Sequence, residues 1–545
     1  MSAKIVFLFD TDKDSTKALF VYLCNKRYLA YRYLICQNMT FNRREFLKTG
    51  GLALMGAIIS PSVYSSNGGG KPRQIDTVLA HFGVSEEDLR KVLTVALEKG
   101  GDYADLFFEH TFNNSLSLRD GEVNSVSSGI DYGVGVRVLS GDQTGYAYVE
   151  NTTLEDMINA ARTAARIASK APSANVNEMG LKIPSKNYYT VKQSWEDVSV
   201  KKRIPYLQKI NERVFALDPR VNKVIVGLSD SSSHILFVNS EGVMYYDYRP
   251  MAGIYAVCIM QEKDEFENGT ASRSFRTGFE FLNDDLVEEI AKEAVAQASI
   301  LFKAKTPKGG EMPVVLGAGG SGIFLHEAIG HAFEADFNRK GTSIFSDMLH
   351  KKVCADFINV VDDGTILFNR GSVNIDDEGT EGQKTYIVRN GILNSYLHDR
   401  ISSKHYSVSP TGNGRRESFR SVPIPRMRAT YMENGNSTEE EMIASIKKGV
   451  FVNTFTNGEV QIGAGDFTFF VKTGYMIEDG KLTQPIKDIN IIGNGPRALA
   501  DITMVSGNYL MDNGVWTCGK DGQSCPVTCG MPSALISKLT VGGLS

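Results

Sequence analysis

The chain has 545 residues, 42% of them hydrophobic and 22% charged, which is enough for a sizeable packed core and for two to four domains of about 100–200 residues. Its 59 Lys and Arg against 63 Asp and Glu leave a net charge of −4, which excludes the basic excess expected of a protein built to grip a nucleic-acid backbone. Seven cysteines are too few for a disulfide-built scaffold, and 52 glycines beside only 16 prolines predict many tight turns between strands.

Near the N-terminus, Arg43 and Arg44 are followed by Phe46-Leu47-Lys48 and a short apolar run from Gly50 to Ile59. The run is too short to span a bilayer as a helix. A basic start, an apolar middle and small residues after it form the layout of an export signal, and the paired arginines resemble the twin-arginine type. A cleavage point comes after Val63-Tyr64-Ser65. Residues 39–65 therefore predict an exported, periplasmic protein, or a cytoplasmic one if the signal does not function. Met39 is a natural start for such a signal, which makes 1–38 an upstream extension. The apolar stretch Ala18 to Cys36 is broken by Lys26, Arg27 and Arg32 and does not read as a membrane helix. No later run of 18 apolar residues appears, so no stable membrane insertion is expected once the signal is removed.

Residues 66–84, beginning Ser/Gly-rich, read as a linker. Leu89, Val92, Leu93, Ala96 and Leu97 predict a helix over Ser85–Gly100. Short strands come next at Ala104–Glu109, Ser115–Arg119, Gly133–Leu139 and Gly145–Val149, and then an Ala-rich helix over Leu154–Lys170 capped by Thr153. These make a first α+β domain, 85–172. After an irregular stretch, a central α+β domain spans 189–305. It has a helix at Val200–Leu217, strands at Lys223–Ser229, His234–Asn239, Val243–Tyr248 and Gly253–Gln261, and a helix at Leu286–Lys303. The remainder, 311–545, is Gly-rich and strand-like, with a helix at Thr438–Lys448. The expected class is α+β and multi-domain, with a strand-rich C-terminal domain.

The chemistry gathers at the start of that last domain. Pro313–Leu316 reads as a buried strand, followed by Gly317-Ala-Gly-Gly-Ser-Gly322 and an apolar helix start. The glycines match a dinucleotide-binding pattern, but the helix runs on into His326-Glu327-Ala328-Ile329-Gly330-His331 and not into a βαβ unit with its acidic residue. A flexible loop beside a reactive helix is the better reading. The common zinc-protease spacing puts two histidines four apart, on one helix face. Here they are five apart, roughly 140° around a regular helix. A π-type widening would bring both onto one ion, and Gly330 lowers its cost. A catalytic zinc site needs a third protein ligand. Glu334, Asp336 and Cys518 are candidates, as are Cys525 and Cys529, which in an oxidising compartment would alternatively join in a short disulfide loop.

The blocks Leu325–His331, Phe337–Ser343, Val361–Gly364, Ile375–Thr380, Pro410–Ser418 and Asp512–Lys520, in this order, resemble the TldD/PmbA metallopeptidase family, most closely its TldD branch. The resemblance spans about residues 85–545. It implies His326, His331 and Cys518 as zinc ligands and Glu327 as catalytic acid/base. The PmbA-like branch lacks the histidine pattern that this chain carries. The resemblance also implies peptidase activity on small or unfolded polypeptides, and a homodimer or a heterodimer with a PmbA-like subunit. A non-catalytic metal-binding scaffold subunit of such a complex is the alternative.

For the hydrolysis, zinc would activate a water and polarise the scissile carbonyl, with Glu327 moving the proton. Donors to the developing oxyanion are sought among the loop amides, including Gly319 and Gly320, and the guanidinium groups of Arg415 and Arg416. The acidic groups Asp362-Asp363 and Asp376-Asp377-Glu378 read as solvated turns. The many Gly-bounded strands offer edges to an extended peptide.

Overall fold

The computed structural model describes residues 5–9, 18–22, 74–168 and 174–543. Residues 1–72 and 73–545 form two compact units. In the first, Ile5–Phe9 pairs antiparallel with Ala18–Tyr22. The proposed signal segment, 39–65, lies outside the described residues. Among the described residues no helix is long and apolar enough to cross a membrane.

The expected linker ends in a helix, Gln74–Phe82, because Val78, Leu79 and Phe82 recur at helical spacing and are buried in the core beneath it. The next helix, Glu86–Leu97, starts from Ser85 in a capping box with Asp88 and buries the predicted apolar stripe.

The segments expected as separate α+β domains share one seven-stranded sheet. Its central order is Gln143–Val149, Glu122–Ser140, Tyr103–Arg119, Val221–Asn239 and Val243–Glu262. The strands are far longer than expected, since polar stretches that look like breaks continue the ladder. Asn114, for instance, donates to Asp230 of the neighbouring strand at 2.9 Å. One face carries the helices: Leu106, Phe108, Leu236 and Val238 pack in the core of Glu86–Leu97 and Leu154–Ala164, and Leu116, Leu118, Val226 and Leu228 in that of Val200–Leu217 and Asp284–Leu301. The alternate residues Phe107, Ile235 and Phe237 face the other way, onto Ile375 and Phe419 of the C-terminal half. On that second face Gly133 is required, because a Cβ there would stand 2.3 Å from the Phe419 ring.

The C-terminal half is strand-rich. Gly310–Leu316, Lys448–Gln461, Asp466–Glu478, Ile489–Asn494 and Ala534–Gly542 pair in sequence, and the last pairs back to the first, closing the ring. A six-stranded sheet including Val360–Asp363, Ala429–Met432 and Thr528–Met531 stands beside it. The helical run 322–339 is buried between these sheets, with Leu325, Ala328, Ile329 and Phe333 in their shared core. The molecule is thus α+β and multi-domain, with its strand-rich region at the C-terminal end.

The acidic groups expected as solvated turns are buried, and three of their five carboxylates pair with arginines distant in sequence. Asp362 binds Arg428 at 3.0 Å, Asp377 binds Arg249 at 2.6 Å, and Glu378 binds Arg137 at 2.5 Å. Arg137 and Arg249 belong to the N-terminal sheet, so the last two pairs tie the halves together. Burying a carboxylate demands such a partner, and the partner's position cannot be read from local sequence.

Candidate metal centre

Strand Gly310–Leu316 delivers the chain to a turn and then to one α-helical turn, Gly322–Phe324. Gly322 is needed there, since a Cβ would meet the Gly530 backbone nitrogen at 2.4 Å. The following residues, Leu325–Gly330, form a π-helix in which the His331 amide donates to the His326 carbonyl, an i→i−5 bond. This widened turn puts both imidazoles on one side. Their rings stand 5.0 Å apart, nearly perpendicular. Gly330 serves a second purpose beyond easing the widening: a Cβ there would lie 2.3 Å from Met427 Sδ.

The third group arrives on a hairpin, Thr517–Lys520 with Gln523–Pro526, turned at Asp521 and Gly522, both with positive φ. Cys518 Sγ lies 3.3 Å from His331 Nε2, and one donor atom from each of His326, His331 and Cys518 falls within 4.8 Å of the others. All three residues are buried. Both ring nitrogens of His326 are buried without a hydrogen-bond partner, an expense that a bound cation would remove. Burial alone would raise the Cys518 thiol, yet His326 and His331 beside it bring it down to about 4, so it stands as thiolate. Two imidazoles and a thiolate are donors that zinc takes.

A layer of charge stands behind these donors. His331 Nδ1 donates to Glu334 Oε2 at 3.0 Å, which leaves Nε2 facing Cys518. Lys520 Nζ binds Glu334 at 3.0 Å and Asp336 at 2.7 Å. Glu334 and Asp336, weighed as ligands, thus sit one layer out. Arg426 donates to the Cys518 carbonyl at 2.5 Å and reaches Cys525 Sγ at 3.4 Å. Cys525 is directly opposite Cys518 in the hairpin register, and Cys525 and Cys529 are both buried free cysteines, not joined to each other. Glu327 is the most open member of the group, its side chain 20% exposed and its Oε2 4.0 Å from His331 Nε2.

Of the expected oxyanion donors, Gly319, Arg415 and Arg416 are engaged within the protein. The amides of Gly317, Gly319 and Gly322 donate to the carbonyls of Val452, Met531 and Gly319, and a Cβ on Gly320 would lie 3.6 Å from Asp512 Oδ2. Arg415 is buried and donates to the carbonyls of Met427 and Pro526. Arg416 is buried over the Phe107 ring, with its backbone amide and guanidinium on Asp377. Both arginines hold protein segments together, because carbonyls from other segments and the Tyr146 hydroxyl take most of their guanidinium donors. Arg426 and Met427, which do bear on the centre, carried no motif signal; Lys520 lay inside the block Asp512–Lys520 without a role.

The fold thus brings together three protein donors of the kind that can hold a metal ion. The chain belongs to the PmbA/TldA metallopeptidase family: models of its domain 1, central domain and C-terminal domain match residues 104–168, 193–302 and 309–543. It is 37% identical over 475 residues to a metalloprotease TldD homologue of Haemophilus influenzae, covering 86% of this chain and 98% of that one. It is 30% identical over 461 residues to a zinc metalloprotease TldD homologue of Saccharolobus solfataricus, covering 83% and 99%. The crystal structure of TldE from Thermococcus kodakarensis shares the fold at TM-score 0.67 and 20% identity, over 84% of this chain and all of that one.

Proposed function

We propose that this chain is a zinc-dependent peptidase that hydrolyses peptide bonds of small or unfolded polypeptides, with His326, His331 and Cys518 holding the metal and Glu327 as general base. The observation that carries the reading is the convergence of two imidazoles and one cysteine sulfur within 4.8 Å of one another, with Glu327 beside them. Zinc bound there supplies a Lewis acid that activates water and polarises the scissile carbonyl. Glu327 accepts the proton of the attacking water and passes it to the leaving amine. Its adjacency to His326 brings it to the centre, and its partial exposure leaves it open to substrate. Glu334 fixes the His331 tautomer, and Lys520 keeps Glu334 ionised and in place.

Glu327→Gln tests this. It should keep a full complement of zinc and lose peptide hydrolysis by about 10²–10⁴-fold. Unchanged turnover would refute the reading. Pairing with a second subunit of the TldD/PmbA type is inferred from the family resemblance, and sedimentation of the purified chain with and without such a subunit tests it. Export rests on residues 39–65 alone, and cell fractionation tests it.

A further inference from the structure

Three of the chain's eight histidines meet on the N-terminal sheet, outside the His326–His331–Cys518 centre. His81 comes from the last turn of the helix Gln74–Phe82. His110 and His234 face each other across adjacent strands of the N-terminal sheet, on its helix-bearing face. Glu196, from the short turn Trp195–Asp197, reaches the same place. The ring centroids of His81 lie 5.0 Å from His110 and 4.4 Å from His234.

The donor atoms come in two close pairs. His110 Nδ1 is 3.0 Å from His81 Nε2, and His234 Nε2 is 3.2 Å from Glu196 Oε1. Two ligand atoms on a tetrahedral zinc-like ion, with bonds of about 2.0–2.1 Å, stand about 3.3 Å apart. Each pair therefore has the spacing of one edge of such a shell. We propose that His81, His110, His234 and Glu196 form a second site for a borderline divalent ion such as zinc, clipping the helix Gln74–Phe82 to the sheet.

The two edges are not yet closed: among the described residues, only His326, His331 and Cys518 bring three donors within 4.8 Å of one another. His81 and Glu196 are exposed, and His110 and His234 half-buried. A turn of the His81 ring, with His110 following, is the movement that closes the shell. Tyr246 Oη lies 2.7 Å from His234 Nδ1 and can donate there, so Nε2 is the nitrogen that carries a proton to Glu196. On binding, the His234 proton shifts to Nδ1, where Tyr246 Oη turns to accept it, and the ring of the His81–His110 pair that carries the shared proton moves it to its other nitrogen, so that all three histidines bind as neutral imidazoles. Burial, reinforced by the neighbouring rings, holds His81 below the ordinary imidazole value and His110 down to about 4, so both are neutral near pH 7, the form that binds metal.

A hydrogen-bonded histidine chain with no ion would give the same distances, so the test must separate the two. The metal-free full chain is titrated with cobalt(II), followed by absorption and by metal analysis. Two equivalents are expected. Cobalt on Cys518 adds a thiolate charge-transfer band, whereas the second equivalent shows ligand-field bands alone. His81→Ala, at an exposed position, should weaken the second equivalent by about tenfold or more and leave the thiolate band intact. His110→Gln with Glu196→Gln should abolish it. Absence of any equivalent that shows ligand-field bands alone, or one that ignores these substitutions, overturns the proposal. The variants report on the histidine cluster whether or not Cys518 binds cobalt, so failure here is distinct from failure at the other centre.

Discussion

His331 is held from behind by Glu334: Nδ1 donates to Oε2 at 3.0 Å, while Nε2 points at Cys518. The carboxylate fixes the tautomer that leaves Nε2 free for a metal and makes the imidazole a stronger donor. Glu334 can do this while fully buried because Lys520 binds it at 3.0 Å. Glu334→Gln keeps the volume and removes the charge. It should weaken zinc binding by about 10–100-fold, measured by competition against a chromophoric chelator. Lys520→Met should act in the same direction. Unchanged affinity in both would mean that the layer behind His331 is only structural.

The same arrangement sets how metal uptake depends on pH. Without metal, burial would lower His331, but Glu334 and the Cys518 thiolate raise it well above its ordinary value, whereas Cys518 falls to about 4. At pH 7 the thiol proton is already gone and the His331 proton remains. A raised folded value stabilises the metal-free protein below the unfolded imidazole value of about 6.5, and that contribution is lost as pH rises through the folded value. Metal must displace this proton, so affinity should increase with pH above 7, with about one proton released per ion. Calorimetry in buffers of differing ionisation enthalpy counts it. Two protons released at pH 7 would show that Cys518 is not a thiolate in the metal-free protein.

A buried carboxylate outside the centre makes a separate, signed prediction. Burial raises Glu109 to about 7, against the hydroxyl of Thr111 and the amide of Phe419 that favour its ionised form. The folded value is above the unfolded one. Stability is therefore fully present below about 4.5 and falls as pH rises through about 7, a loss on the order of 3 kcal/mol. Glu109→Gln can still accept from Phe419 and donate to Thr111. It should leave the thermal midpoint near pH 4.5 unchanged and raise it at pH 8. An equal effect at both values would remove Glu109 as a source of the pH dependence.

Much of the centre was legible because its signal is local. The spacing of His326 and His331 demands a widened turn, and a π-helix is present there. Helices such as Val200–Leu217 were legible from their apolar period. The long strands were not, because Asn113, Asn114 and Ser231–Ser233 look like turns until their cross-strand partners are known. Arg415 and Arg416 show the same limit: adjacent arginines suggest a cleft, and only the fold brings the carbonyls of Met427, Pro526 and Asp377 to their guanidinium groups. Asp377 and Glu378 are buried for the same cause, their partners lying more than a hundred residues away.

Gly330 joins the local and the distant signals. From sequence it is the flexible residue before His331; in the fold it is also the gap into which Met427 packs. Gly330→Ala would place a methyl 2.3 Å from Met427 Sδ and 2.9 Å from the Leu325 carbonyl. The carbonyl belongs to the π-turn itself, so the clash pushes on the segment that aligns the two imidazoles. Overpacking of this kind costs about 1–3 kcal/mol. The thermal midpoint should fall, and zinc affinity should fall with it, because His331 would be displaced from His326. Adding Met427→Ala removes the sulfur but not the carbonyl contact. The double variant should thus recover some stability and little metal binding. If Met427→Ala restored metal binding in full, the sulfur and not the π-turn would be what Gly330 protects.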